Sequence, residues 1–165
     1  MTDKTLLYLD YLKLLDIFTK YSLTPFVQES IVALRPLDSI AEIESRQDRI
    51  EAVMELVRWE GKLPLADIPD IRNILRRLFI RDAILEEKEF LAVAQFLKVC
   101  DDLSPFLKKD FNKKTFIEEV VLRLKTLTPV YRRIAKTINI EGFIEDTASY
   151  ELSKIRSDLF SFRER

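Results

Sequence analysis

Three features of this sequence predict an all-α fold. Two glycines in 165 residues leave few positions for the tight turns of a β fold. The apolar residues, rich in Leu and Ile, recur at helical spacing, and no stretch sustains the alternation of a half-buried strand. The chain is long enough to bury a core without covalent staples, and 47% apolar with 33% charged residues is ordinary for a globular protein. An irregular helical bundle is the expected architecture.

The elements follow in order. Residues 6–21 read as a first helix, with Tyr8, Tyr11, Leu15 and Phe18 on one stripe and Leu12 beside it. Pro25 in "SLTPF" breaks it, and a short helix runs on to about Leu34, where "RPLDS" intervenes. Ser39 with Glu42 forms a capping box for the next helix. That helix carries Ile40, Ile43, Gln47, Ile50, Met54 and Val57 on one seam and ends at Gly61. After the proline-bearing connector "KLPLADIPD", "DIRNILRRLFI" predicts a short helix with Ile71, Ile74, Leu75 and Leu78 inward. A longer one spans about Glu86 to Leu103, with Phe90, Ala94, Leu97 and Cys100 as its stripe. Thr115 with Glu118 opens a helix through Leu127, and Pro129 starts one ending near Thr137. "INIEGFIED" is a turn or short hairpin around Gly142, and the last helix begins near Thr147.

That last helix differs from the others. Ala148, Leu152, Ile155, Leu159 and Phe162 follow at steps of four, three, four and three, the a/d rhythm of a helix that lies along another. On the residues alone, this face either packs on the chain's own bundle or awaits a partner strand.

Much chemistry is excluded. The chain has no histidine, which removes Ser-His-Asp and Cys-His catalysis and the commonest general base. One cysteine and no histidine leave zinc almost without ligands. Gly61 and Gly142 are too far apart for a phosphate-cradling G-x-x-x-x-G-K-[ST] loop, and no S-x-x-K pair occurs. Neighbouring acids such as Asp101–Asp102 and Glu86–Glu87 diverge on a helix. No catalytic residue, metal site or cofactor site is expected in this chain. Cys100 lies at helical spacing from Phe96, Leu97 and Val93 and reads as a buried, inert thiol, in keeping with a reducing cytoplasm. No run approaches the about 20 apolar residues of a membrane span, and no signal peptide precedes the first helix.

The net charge is −1, but its distribution is uneven. Between 108 and 136 stand Lys108, Lys109, Lys113, Lys114, Arg123, Lys125, Arg132, Arg133 and Lys136, against Asp110, Glu118 and Glu119. The helix from Asp38 to Glu60 leans acidic. The contrast marks either a phosphate-facing surface or two complementary solvated faces. The nucleic-acid candidates are Lys108, Lys109, Lys113, Lys114, Arg132, Arg133 and Lys136.

Three stretches, in order, resemble the core domain of the bacterial MutS family: "LRPLDSIAEIESRQDRIEAVMEL", "IPDIRNILRRL" with "AILEEKEFLAVAQFLK", and "INIEGFIEDTASYELSKIR". The third, as G-x-x-x-D-x-A-S-x-x-L-x-x-I-R, is most similar to the second, mismatch-independent branch. The resemblance covers about residues 24–165. It implies that residues 1–145 are the helical core and 146–165 the start of a coiled-coil lever, with Ala148, Leu152, Ile155, Leu159 and Phe162 facing a returning lever helix. It also implies a parent protein with a dimeric ATPase using ATP and Mg, the small nuclease domain that many members carry, and a branched-DNA or ribosome partner. Asn139 departs from the acidic residue expected before the turn. Three Phe-x-Glu matches, at Phe116–Glu118, Phe143–Glu145 and Phe162–Glu164, resemble the mismatch-reading wedge only by chance, since that wedge belongs to a domain this chain lacks. The expected role is therefore a non-catalytic domain that relays ATPase state to a DNA-clamping lever. The alternative is a complete helical adaptor that binds another protein through a groove.

Overall fold

The computed structural model describes residues 3–65, 67–108 and 115–163. The described residues are helical with one isolated β-bridge, as the glycine-poor composition predicts. The helices are α1 (Asp3–Tyr8), α2 (Tyr11–Thr19), α3 (Pro25–Val32), α4 (Ile40–Glu60), α5 (Arg72–Leu78), α6 (Glu87–Leu107), α7 (Thr115–Arg123), α8 (Thr128–Thr137) and α9 (Tyr150–Arg163). A single 3₁₀ turn, Asp146–Ala148, precedes α9.

The chain divides into two compact units. The first comprises residues 1–70 and 102–125, the second 71–101 and 126–165. The division falls inside α6, between Asp101 and Asp102.

In the first unit, Ala52 and Leu56, one turn apart on α4, pack with Leu107 and Ile117. Leu63, Leu103, Phe116, Val120, Val121 and Leu124 close round them. Leu56 is 1% exposed, the most deeply buried large side chain described. The α4 seam expected from the sequence faces outward instead: Ile40, Ile50 and Met54 are more than half exposed. Both sides of α4 carry aliphatic residues, and the side bearing the small Ala52 lets α7 approach. The cap of α4 is as expected on one side, with Ser39 Oγ accepting from the Glu42 amide at 3.4 Å. The Glu42 carboxylate does not close the box but pairs with Arg46 at 2.9 Å. Gly61, at φ 75°, ends the helix with its amide on the Val57 carbonyl.

The single helix expected over 6–21 is two. Asp10 sits at φ 54° between α1 and α2, a left-handed conformation that Asp tolerates better than most residues. The kink resets the helical phase, so Leu6 and Leu15 are buried while Tyr8 and Phe18 are exposed. Ile71, at the N-cap of α5, and Ile74 within it are buried, while Leu75 and Leu78 are exposed. α6 runs past Leu103 to Leu107, because Pro105 removes one amide without stopping the helix. α7 ends at Arg123, short of Leu127, since Pro129 sets up a new start with Leu127 as the N-cap of α8. The second expected capping box rests on the Thr115 side chain, which lies outside the described part of that residue.

Candidate lever root and basic helix

The corner that launches α9 is built in the second unit from Ile138 to Arg156. α8 ends when Ile138 turns extended and pairs with Ile144 across a one-bridge hairpin. Gly142 provides the reversal at φ 88°, with its amide on the Asn139 carbonyl at 3.0 Å. Asn139 Oδ1 accepts from the amides of Glu141 and Phe143 at 3.0 and 2.9 Å. A carboxamide oxygen thus fills the acceptor role open to an acidic side chain there, and the turn is intact. The Glu145 amide ties the return strand to the Thr137 carbonyl at 2.9 Å.

Ser149 then adopts an extended conformation, and its Oγ accepts from the Leu152 amide at 3.1 Å. It is the N-cap of α9 in function, so the helix starts at Tyr150 and not near Thr147. Two turns later Arg156 reaches back, donating to the Ile144 carbonyl at 3.0 Å and pairing with Asp146. The motif residues therefore divide the work. Gly142 turns the chain, Ser149 caps the helix, and Asp146 with Arg156 locks the helix to the corner. The spacing of Asp146 and Arg156 does not predict their pairing. The only sequence signal is that both residues belong to the same motif.

The seam residues divide accordingly. Ala148 lies in the 3₁₀ turn, outside α9, and is half-buried, as is Leu152. Ile155 is 56%, Leu159 54% and Phe162 73% exposed. From Ile155 onward the apolar face of α9 is bare among the described residues.

Of the basic candidates, four are described. Lys109, Lys113 and Lys114 lie outside the described residues. Lys108 belongs to the first unit and Arg132, Arg133 and Lys136 to the second. The last three are exposed on α8 and have no hydrogen-bond or ion-pair partner for their charged groups among the described residues. Arg133 borders a recess of about 390 Å³ whose other walls are Phe90, Val130, Ile134, Thr137 and Ile138.

Other chemistry is sparse. Among the described residues no group of three or more His, Cys, Asp or Glu could hold a metal ion. No described helix is long and apolar enough to cross a membrane. Cys100 is half-buried, and burial, with Asp101 beside it, pushes its thiol up from the ordinary range.

No family model matches the chain. Individual proteins do. A protein of Lactiplantibacillus plantarum named endonuclease MutS2 is 31% identical over 164 residues, 96% of this chain. Proteins of the same name from Latilactobacillus sakei and Aquifex aeolicus are 30% and 23% identical over 96% and 99% of it. The chain spans about a fifth of the length of these curated relatives.

Proposed function

Since this chain matches a domain of the second branch of the MutS family, we propose that it is the non-catalytic core and lever base of a MutS-like ATPase. In this reading α9 is the root of a coiled-coil lever, and its bare face receives the returning helix. The core relays the state of a dimeric ATPase, which binds ATP and Mg, to a lever that clamps branched DNA or engages a ribosome. The relatives are named endonucleases, which supports a parent that also acts on nucleic acid; a cytoplasmic location belongs to the same proposal.

The observation that carries the reading is the contrast along α9. Its first turns are held by the Ser149 cap and by Arg156 on Ile144 and Asp146. Its apolar residues beyond Arg156 are uncovered. A helix anchored at one end, with a heptad face uncovered at the other, is suited to a partner strand. The adaptor reading is favoured by one feature, an apolar groove of about 500 Å³ in the first unit beside Phe18, Tyr21, Phe26 and Val27. That reading expects a closed last helix, and the exposure of Ile155, Leu159 and Phe162 speaks against it.

The test is the encoding reading frame past Arg165, followed by co-expression of the downstream segment with this chain. A P-loop downstream and a complex lost on Ile155→Asp or Leu159→Asp are expected. A stop codon at Arg165, or a complex indifferent to both substitutions, refutes the lever.

A further inference from the structure

The second unit places two features side by side on α8. Val130, Arg133, Ile134 and Thr137, at helical spacing, line the recess. At 100° per residue, Arg133, Lys136 and Arg132 follow in order around the next arc of the same helix. Arg133 therefore belongs to both the apolar recess and the basic stripe. The recess has the size of a small-ligand site, roughly 300–1,000 Å³, and Phe90 contributes an aromatic ring that is 36% exposed. Thr137 donates its hydroxyl proton to the Arg133 carbonyl at 2.8 Å, which leaves the hydroxyl oxygen of this lining residue as an acceptor.

We propose that this face binds single-stranded nucleic acid, with one unstacked base against Phe90 in the recess and adjoining phosphates on Arg133 and Lys136. The inference rests on the nucleic-acid side of the function proposed above but assigns a site that the lever does not require. The chemistry favours a nucleotide over an acidic peptide. A nucleotide repeats a flat apolar ring next to each anion, and this surface repeats an apolar slot next to a cation. A carboxylate-rich peptide would use the stripe and leave the slot empty. A duplex would keep its bases stacked away from Phe90 and engage only the cations.

The test is fluorescence anisotropy of the intact 165-residue chain with labelled oligothymidylate of about 15 nucleotides, a length matched to small single-strand sites. The same-length duplex and poly-glutamate serve as competitors. Two neutralised phosphates predict a log–log salt slope of about −1.4. Phe90→Leu, which keeps the slot apolar, and Phe90→Ala should each weaken single-strand binding, Phe90→Ala by about 5- to 100-fold. Paired Arg133→Glu and Lys136→Glu, both at the surface, should abolish it with the helical circular dichroism unchanged. Ile155→Asp should leave it unchanged, so loss of lever pairing and loss of this site are read separately. Equal affinity for the duplex, full displacement by poly-glutamate, indifference to the Phe90 or charge-reversal variants, or no binding at low salt would each overturn the proposal.

Discussion

Leu56→Ala tests the account of the first unit most directly. Leu56 is the most buried large side chain described and contacts a cluster drawn from α4, α6 and α7. Truncation removes three carbons, at about 0.8 kcal/mol each about 2.4 kcal/mol of transfer free energy. The neighbours Leu107 and Ile117 are held on separate helices and can collapse only partly into the space, so a cavity contribution adds to this. The expected loss is about 3–4 kcal/mol, within the range for buried Leu→Ala changes. Urea unfolding followed by circular dichroism measures it, with Leu159→Ala as the matched control. Leu159 is 54% exposed, and its truncation should cost less than about 0.5 kcal/mol. If Leu56→Ala costs under about 1 kcal/mol, or if the two variants are equal, the core has been assigned to the wrong face of α4.

Three further predictions concern the second unit. Arg156→Ala should cost no more than about 1 kcal/mol globally, since the pair with Asp146 is largely solvent-exposed. It should nevertheless raise amide exchange over the first turns of α9, and unchanged exchange there would remove the lock. Gly142→Ala should destabilise by about 1–2 kcal/mol in thermal or urea melts. The cause is φ at 88° and not crowding, since an added Cβ meets only Leu91 Cδ1 at 3.7 Å; a neutral outcome would mean the turn is misread. Cys100 should alkylate more slowly with iodoacetamide at neutral pH than a free thiol. Because its folded-state titration is raised, the folded chain retains a proton that the unfolded chain loses. Its contribution to stability is therefore complete below the ordinary thiol range and declines as pH rises through the raised value. A Cys100→Ser comparison in alkaline urea melts isolates that slope, and identical pH dependence in the two proteins would contradict it.

Where the sequence punctuates itself, the fold was legible. Pro25 and Pro129 open α3 and α8, Gly61 closes α4, and Gly142 reverses the chain. Each acts through a local conformational constraint that needs no tertiary context. The break at Asp10 was not legible, because Asp enters the left-handed region only when its surroundings select it. Nor was the buried face of α4, where Ile43, Ile50 and Met54 compete with Ala52 and Leu56 and the approach of another helix decides. The heptad of α9 was readable as a period, but its bareness is a property of the neighbours. The recess beside Phe90 was hidden for the same reason, since α6 and α8 are distant in sequence and their juxtaposition creates it. The two ends of the basic run belong to different units, an assignment that depends on tertiary packing and not on the run itself.

The interleaving of those units constrains how the chain is made. Ala52 and Leu56 leave the ribosome long before Leu107 and Ile117, the residues that bury them. During that interval the segment 71–101, which belongs elsewhere, is synthesised and must wait in turn for residues 126–165. Neither unit can finish folding as an N-terminal piece, and at elongation rates of about 5–20 residues per second the half-made core is exposed for seconds. Terminal deletions that look harmless on a linear map will therefore strand one half of a core without the other.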